Sequence, residues 1–247
     1  MKNIFDISGK VALVTGGAGL LGTQFSKVLA EYGAKVVLTD YDINQCQNIV
    51  KELANDNIIP QKLDVTSKSE WRNVSQEIFD EHKSIDILVN CAQTVLGKSF
   101  IDTTDSELNF LLDSNIRNTL LVLQEVGKKM LNHQYGRIIN VISALAQIGL
   151  KNAVLYSATQ SAVEQVTKSL SLEWALENIR INSIAMGWFK DQISDESQKQ
   201  NLSKYIPLRR LGESEEIGPL LVYLASEFSD FVTGQTIFVD GGAASHA

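Results

Sequence analysis

Ser143, Tyr156 and Gln160 have a spacing that suits chemistry on a carbonyl or alcohol oxygen. Ser143 closes an apolar run, and Tyr156 and Gln160 follow it after thirteen and seventeen residues. On a helix, positions 156 and 160 lie one turn apart on the same face. A serine that ends a strand can reach a tyrosine on the next helix, and two hydroxyl groups facing one pocket can polarise a carbonyl. The spacing therefore predicts a site that acts on an oxygen-bearing carbon.

The rest of the chain alternates short apolar runs with amphipathic stretches of helix length. The runs cover residues 11–15, 35–40, 58–63, 85–90, 137–142, 180–185 and 236–240, and the stretches cover 19–32, 42–55, 67–82, 104–132, 153–177 and 213–226. Such alternation predicts a parallel sheet with helices on both faces. We expect one α/β domain over residues 1–247. Residues 186–212 form a long irregular stretch, and we expect 188–210 to cover the substrate.

A glycine-rich turn joins the first predicted strand to the first predicted helix. Gly17, Gly19 and Gly22 form the pattern G-x-G-x-x-G, which lets the backbone and a helix N-terminus approach a pyrophosphate. Asp40 closes the second predicted strand, eighteen residues beyond Gly22, where a carboxylate can accept from ribose hydroxyls. The pattern predicts a Rossmann-like, doubly wound domain with seven parallel strands. Because Asp40 would repel a 2′-phosphate, NAD(H) is favoured over NADP(H).

The overall composition narrows the classes of partner. The net charge is −7, from 22 basic and 29 acidic residues, which argues against nucleic acid or an anionic membrane as a partner. There is no signal-peptide run and no apolar stretch near the about eighteen residues of a membrane span, so we expect a soluble, cytoplasmic protein. The two cysteines and three histidines show no metal-type spacing, and we expect no metal.

Together with the final segment 234–242, these motifs make the chain resemble the short single-domain branch of the short-chain dehydrogenase/reductase family from end to end. The resemblance implies hydride transfer between a nicotinamide and an alcohol or ketone substrate. It makes Tyr156 the general acid or base and makes Ser143 the hydrogen-bond partner of the reacting oxygen. Asn115 matches the asparagine that kinks its helix and holds a water on the proton relay. A homotetramer or dimer is expected from the same resemblance.

The resemblance also implies a set of cofactor-binding positions. Asp64 matches an acid that touches the adenine ring, although a cap on the helix starting near residues 66–69 explains it equally well. Gln93 replaces a family glycine, and its side chain limits how closely the backbone can approach the cofactor. The full expected set is Gly16, Gly17, Gly19, Leu21, Gly22, Asp40, Asp64, Val65, Asn90, Ala92, Gly187, Phe189 and Asp191.

The catalytic centre departs from the family at position 160, where Gln160 replaces a lysine. In the family that lysine binds the nicotinamide ribose and lowers the tyrosine's pKa. A charge pair at about 4 Å, with an effective dielectric constant near 20, is worth roughly 4 kcal/mol, which corresponds to a pKa change of roughly three. Without it, the pKa of Tyr156 should lie closer to about 10. We therefore expect a bias toward reduction and an oxidation rate that rises at alkaline pH.

Three functions fit these residues. The first is an NAD(H)-dependent oxidoreductase acting on an alcohol/carbonyl pair, with Gln160 available to hydrogen-bond a ribose hydroxyl. The second is a catalytically weakened NAD-binding protein with a structural or sensing role. The third is non-redox lyase or dehydratase chemistry on the same fold. The apolar stripe Val163, Val166, Leu170 and Trp174 on the predicted helix serves either a subunit interface or the core.

Overall fold

One parallel sheet organises the computed structural model, which describes residues 5–245 of the chain. The strands are β1 (Val11–Thr15), β2 (Lys35–Asp40), β3 (Ile58–Lys62), β4 (Ile87–Asn90), β5 (Gly136–Ser143), β6 (Ile179–Met186) and β7 (Thr236–Val239). They lie in the order β3-β2-β1-β4-β5-β6-β7. The predicted doubly wound, seven-stranded parallel sheet is confirmed. The direction of winding reverses between β1 and β4, which is where ligands bind in folds of this class.

Helices cover both faces of the sheet. They are α1 (Leu20–Glu31), α2 (Ile43–Leu53), α3 (Lys68–His82), α4 (Asp105–Leu111), α5 (Asn118–His133), α6 (Val154–Trp174), α7 (Glu196–Tyr205) and α8 (Gly218–Ala225). Successive side chains of a strand point to opposite faces of the sheet, so the core has two halves. Val14 of β1 packs toward α1 and α8, whereas Leu13 packs toward α3 and α5. Within the part of the chain that the structure describes, no helix is both long and apolar enough to cross a bilayer.

Two of the predicted elements are wrong in detail. The single helix expected over 104–132 is α4 and α5 joined by a π-helical segment, Leu112–Arg117. The stretch 186–212, expected to be irregular, contains α7, whose N-terminus is capped by Asp195 accepting from Ser197 N at 2.8 Å. No residue of α7 is buried, so the helix carries no apolar periodicity that the sequence could reveal.

The apolar stripe of α6 belongs to the core of this chain. Val163 is buried, and Val166, Leu170 and Trp174 pack against the cluster formed by β1, α3 and α5. The Trp174 ring lies over Gly127 of α5 so closely that a Cβ there would be 2.5 Å from it. The stripe therefore packs within the chain, as one of its two explanations expects.

A row of buried polar side chains crosses the carboxyl ends of the central strands. Asn90 accepts from Thr15 Oγ1 at 3.2 Å and donates from Nδ2 to Asn140 Oδ1 at 3.3 Å. Asn140 Nδ2 donates to Thr167 Oγ1 of α6 at 2.9 Å, and that hydroxyl is 2.8 Å from the Ser183 hydroxyl of β6. Buried polar groups are costly unless paired, so the row fixes the register of four strands and of α6. These are the elements that carry the candidate site.

Candidate active site

The glycine turn between β1 and α1 leaves a hollow that side chains would fill. Gly16 has φ +63° and lies so close to β4 that a Cβ would be 2.9 Å from Ala92 Cα. A Cβ on Gly22 would be 2.1 Å from the Gly16 carbonyl oxygen. Gly19 precedes the first residue of α1 without a side-chain cap, so N–H groups of the first turn remain available to a ligand. The turn is therefore built for close approach of an anionic group to backbone.

A cleft of about 710 Å³ opens beside this turn, at the carboxyl ends of β1 and β4. Its size is within the range of small-molecule and cofactor sites. Eight of the predicted cofactor positions line it: Gly16, Gly19, Leu21, Gly22, Asp40, Asp64, Val65 and Ala92. The structure thus brings together the residues expected around the adenosine and the phosphates.

Two acidic side chains lie on the walls of this cleft. Asp40 Oδ2 accepts from the Ala18 backbone N–H at 3.2 Å, which ties the end of β2 to the glycine turn. Asp64 Oδ1 accepts from Thr66 N at 2.9 Å. The alternative explanation of Asp64 as the cap of α3 is wrong, because Ser67 caps that helix by accepting from Glu70 N at 3.3 Å.

The structure does not bring the remaining predicted positions to the cleft surface. Gly17 packs against Leu38 and Thr39 of β2, and Asn90 is buried at the end of β4. Gly187 lies against β7, where a Cβ would be 2.7 Å from Asp240 Cα, and Phe189 is buried against Gly212. Asp191 accepts from Ser214 Oγ at 2.9 Å. From that turn, Gln192 is the side chain that reaches the cleft.

Asn115 lies in the π-helical segment and holds the loop after β4. Its Oδ1 accepts from Thr94 N at 2.7 Å, and its Nδ2 donates to Thr94 O at 2.9 Å and to Thr159 Oγ1 at 3.0 Å. Both amide hydrogens are therefore used within the protein. The side chain anchors the loop that carries Gln93 to α6. The sequence did not single out Thr94 and Thr159, since neither departs from ordinary loop or helix composition.

Tyr156 lies on the first turn of α6 with only 6% of its surface exposed. Its ring packs among Leu111, Leu145 and Ala153. This burial raises the pKa of the Tyr156 hydroxyl to about 12, although hydrogen bonding with Ser143 offsets part of the rise. The value lies above the one expected near 10, because the sequence does not show how completely the phenol is removed from water. The phenol is neutral at physiological pH.

Gln160 is 2% exposed and supports Ser143. Its Oε1 accepts from the Ser143 backbone N–H at 2.9 Å, one turn of α6 beyond Tyr156. The Ser143 hydroxyl oxygen in turn accepts from Leu145 N at 3.1 Å, and the same hydroxyl hydrogen-bonds the Tyr156 phenol. The neutral Gln160 amide thus fixes the strand end that carries the serine.

Gln93 is the polar side chain in contact with the Tyr156 hydroxyl. Its Oε1 accepts from the tyrosine hydroxyl at 3.2 Å, and the same side chain lines the 710 Å³ cleft. The sequence predicted only that Gln93 narrows the approach to a cofactor. A large amide where a glycine is expected was the available signal, but the direction of its side chain was not visible.

Comparisons with known proteins extend over nearly the whole chain. A family model described as enoyl-(acyl carrier protein) reductase matches residues 17–244. The 5-keto-D-gluconate 5-reductase of Escherichia coli K12 is 31% identical over 98% of each chain. The 2-dehydro-3-deoxy-D-gluconate 5-dehydrogenase of Bacillus subtilis is 32% identical over 98% of this chain and 97% of that protein. A gluconate 5-dehydrogenase from Burkholderia cenocepacia, solved with NADP and tartrate, has a TM-score of 0.93 at 29% identity, covering 99% of this chain and 98% of its own.

Proposed function

The chain belongs to the short-chain dehydrogenase/reductase family of oxidoreductases, and from that premise we propose that it reduces a carbonyl group with a nicotinamide dinucleotide. The neutral hydroxyl of Tyr156 carries the proposal. It lies buried beside Ser143, and through Gln93 it meets the wall of the cleft. A buried phenol in its protonated form is suited to donate a proton to an oxygen on which negative charge develops.

The cleft has the features that a dinucleotide requires. Gly16 and Gly22 leave space that no side chain could share, and the first turn of α1 presents N–H groups to phosphate. When bound, the dinucleotide supplies the hydride. The chain's own residues bind it, exclude water from the reacting carbon and deliver the proton.

Ser143 and Tyr156 have different roles at the substrate oxygen, one as hydrogen-bond donor and the other as proton donor. Ser143 turns its hydroxyl hydrogen from the Tyr156 phenol to that oxygen, while its own oxygen keeps the hydrogen bond from Leu145 N. Tyr156 transfers its proton to the same oxygen as the carbonyl becomes an alcohol. The reverse oxidation needs Tyr156 as phenolate. With a pKa of about 12, the phenolate fraction at pH 7 is on the order of 10⁻⁵. Reduction is therefore the direction that the site supports at neutral pH.

We further propose that NAD(H) is the preferred cofactor. Asp40 places a carboxylate at the wall of the cleft, where it can accept from ribose hydroxyls and would repel a 2′-phosphate. The Burkholderia cenocepacia relative was solved with NADP, which points the other way. Fluorescence titration with NADH and NADPH decides between them: we expect tighter binding of NADH, and Asp40→Ser should reduce the difference. Equal or tighter binding of NADPH by the natural protein contradicts the preference.

The reaction itself is tested by NADH consumption with a panel of ketones, ketoses and keto-sugar acids, the last because relatives bear the names of gluconate enzymes. We expect turnover with at least one of these compounds. Tyr156→Phe should lower kcat by about 10²-fold or more, since it removes the acid while keeping the ring. NADH binding should persist in this variant.

Two other outcomes would each support a different function. NADH binding without turnover of any compound, in the natural protein, would favour a structural or sensing role. Product formation without a change in NADH would favour lyase or dehydratase chemistry with Tyr156 as acid or base. Either result overturns the proposed reduction.

A further inference from the structure

The loop after β4 brings an amide to the catalytic hydroxyl and holds it there. Gln93 Oε1 accepts from the Tyr156 hydroxyl at 3.2 Å. Its neighbour Thr94 is bound through both backbone groups by the Asn115 side chain, at 2.7 and 2.9 Å. Asn115 also donates to Thr159, three residues beyond Tyr156 on α6. The loop and the helix are thus tied together beside the contact, so the position of Gln93 is set by the fold.

We propose that Gln93 is a positioning residue. In the free site it accepts the hydrogen bond from the Tyr156 hydroxyl that a substrate oxygen must accept during the reaction. The inference rests on the proposed function, because the group that displaces Gln93 is the carbonyl oxygen of a substrate. An amide carbonyl resembles that substrate chemically: both accept the phenol's hydrogen through an sp² oxygen. Exchanging one for the other replaces a neutral hydrogen bond by a similar one, so the substrate can displace Gln93 at small cost.

The other groups around Tyr156 leave this role to Gln93. The packing from α4 and from the segment before α6 is apolar, through Leu111, Leu145 and Ala153. Ser143 hydrogen-bonds the phenol from β5. Among residues 5–245, the titratable group that acts on Tyr156 is the Cys91 thiol at the end of β4, which burial keeps protonated. Burial keeps the phenol protonated, Gln93 Oε1 accepts its hydrogen, and no carboxylate or ammonium group among residues 5–245 competes for it.

The first experiment needs neither substrate nor cofactor. Tyrosine labelled with ¹³C at Cζ reports ionisation of Tyr156 by NMR, with Tyr156→Phe assigning the signal. We expect the natural protein to show no ionisation below about pH 11, consistent with the pKa of about 12 that burial produces. Gln93→Gly removes the acceptor, and the midpoint should fall by about half a pH unit to one unit. Gln93→Glu keeps an acceptor of the same shape and adds charge, so Tyr156 should remain protonated throughout.

Gln192→Gly is the matched control for this titration. Gln192 lines the same cleft with the same side chain and has no hydrogen bond to Tyr156. Its removal admits water to the cleft without removing the acceptor, so the Tyr156 midpoint should stay where it is in the natural protein. A fall in Gln192→Gly equal to that in Gln93→Gly overturns the inference, because hydration of the cleft would then explain both. An unchanged midpoint in Gln93→Gly overturns it as well.

The second experiment separates the inference from the proposed reaction. With a carbonyl compound that the natural protein reduces, Gln93→Gly should lower KM several-fold while kcat changes less, because the substrate no longer displaces the amide. A KM that stays constant or rises, in a variant that still turns over, shows that displacement is not part of binding. Failure of the natural protein to reduce any compound would refute the proposed function instead, and the NMR titration would still report on the contact with Gln93.

Discussion

Two glutamine amides define the chemistry of this site at the scale of single residues. Gln93 accepts from the Tyr156 hydroxyl, and Gln160 accepts from the Ser143 backbone N–H. Gln160 is a neutral hydrogen-bonding group that positions the serine, while burial keeps the tyrosine protonated.

The pH dependence of the two reaction directions should differ. Burial raises the Tyr156 pKa to about 12, so the phenol is the dominant form throughout the usual working range. Reduction, which uses the phenol, should be nearly independent of pH between about 6 and 9. Oxidation, which uses the phenolate, should rise by about tenfold per pH unit over the same range. Initial rates in both directions check this, and a flat oxidation profile from neutral to alkaline pH would contradict it.

Replacing Gln160 should weaken the protein as well as change its chemistry. Gln160→Met keeps the length of the side chain but leaves the Ser143 N–H without its acceptor, which should lower the free energy of unfolding by about 1–3 kcal/mol. Gln160→Lys loses the same acceptor and adds a charge in a nearly closed site, so its loss should be at least as large. Gln160→Glu retains an acceptor of the same shape. Urea unfolding of the three variants gives the order, and a lysine variant as stable as the natural protein would show that Ser143 needs no side-chain acceptor.

That stability loss bears on any attempt to place a lysine at position 160. A charge near Tyr156 should lower the phenol's pKa and speed oxidation near neutral pH. The freed strand end should at the same time let Ser143 move. We therefore expect only partial recovery of oxidation in Gln160→Lys, accompanied by a higher KM.

At the scale of elements, the π-helical segment between α4 and α5 fixes the position of the loop after β4. It turns Asn115 inward, where three hydrogen bonds join that loop to α6. Asn115→Ala should lower the free energy of unfolding by about 2–4 kcal/mol, because it removes two hydrogen bonds to partly buried Thr94 and one to the buried Thr159 hydroxyl. Asn109→Ala is the control, since Asn109 is exposed on α4 and should change stability by less than about 0.5 kcal/mol. Equal stability of the two variants would contradict the anchoring role.

The sequence predicts elements well where one physical requirement dominates. A sheet buried on both faces requires apolar runs, and a turn too crowded for a Cβ requires glycine at positions such as Gly22. Features that depend on several distant residues were not predictable. The direction of Gln93 depends on Asn115, and the pKa of Tyr156 depends on packing from α4. The helix α7 was missed because it is polar on all sides.

At the scale of the whole molecule, the carboxyl ends and the amino ends of the strands have separate roles. The cleft and the hydroxyl groups of Ser143 and Tyr156 lie at the carboxyl ends of the strands. At the amino ends, Arg137 near the start of β5 is only 1% exposed and donates to carbonyl oxygens of Gly136 at 2.9 Å, Asn178 at 3.2 Å and Ser226 at 3.4 Å. Arg137 also pairs with Asp230. This arginine ties the segment after α8 to the sheet, far along β5 from Ser143.

Arg137→Met should therefore reduce stability without affecting the site. The variant keeps the apolar stem but removes three hydrogen bonds to carbonyl oxygens, of which those of Asn178 and Ser226 keep other donors, so the free energy of unfolding should fall by about 2–4 kcal/mol. The Asp230 carboxylate, whose side chain is 56% exposed, would be hydrated after the change and adds little to the loss. The Kd for NADH, measured by fluorescence well below the unfolding transition, should match that of the natural protein. Arg72→Met, on the exposed surface of α3, is the control and should change neither quantity. A higher Kd for NADH in Arg137→Met, measured on fully folded protein, would mean that the amino ends of the strands affect the shape of the cleft. The two ends of the sheet would then be coupled through β5.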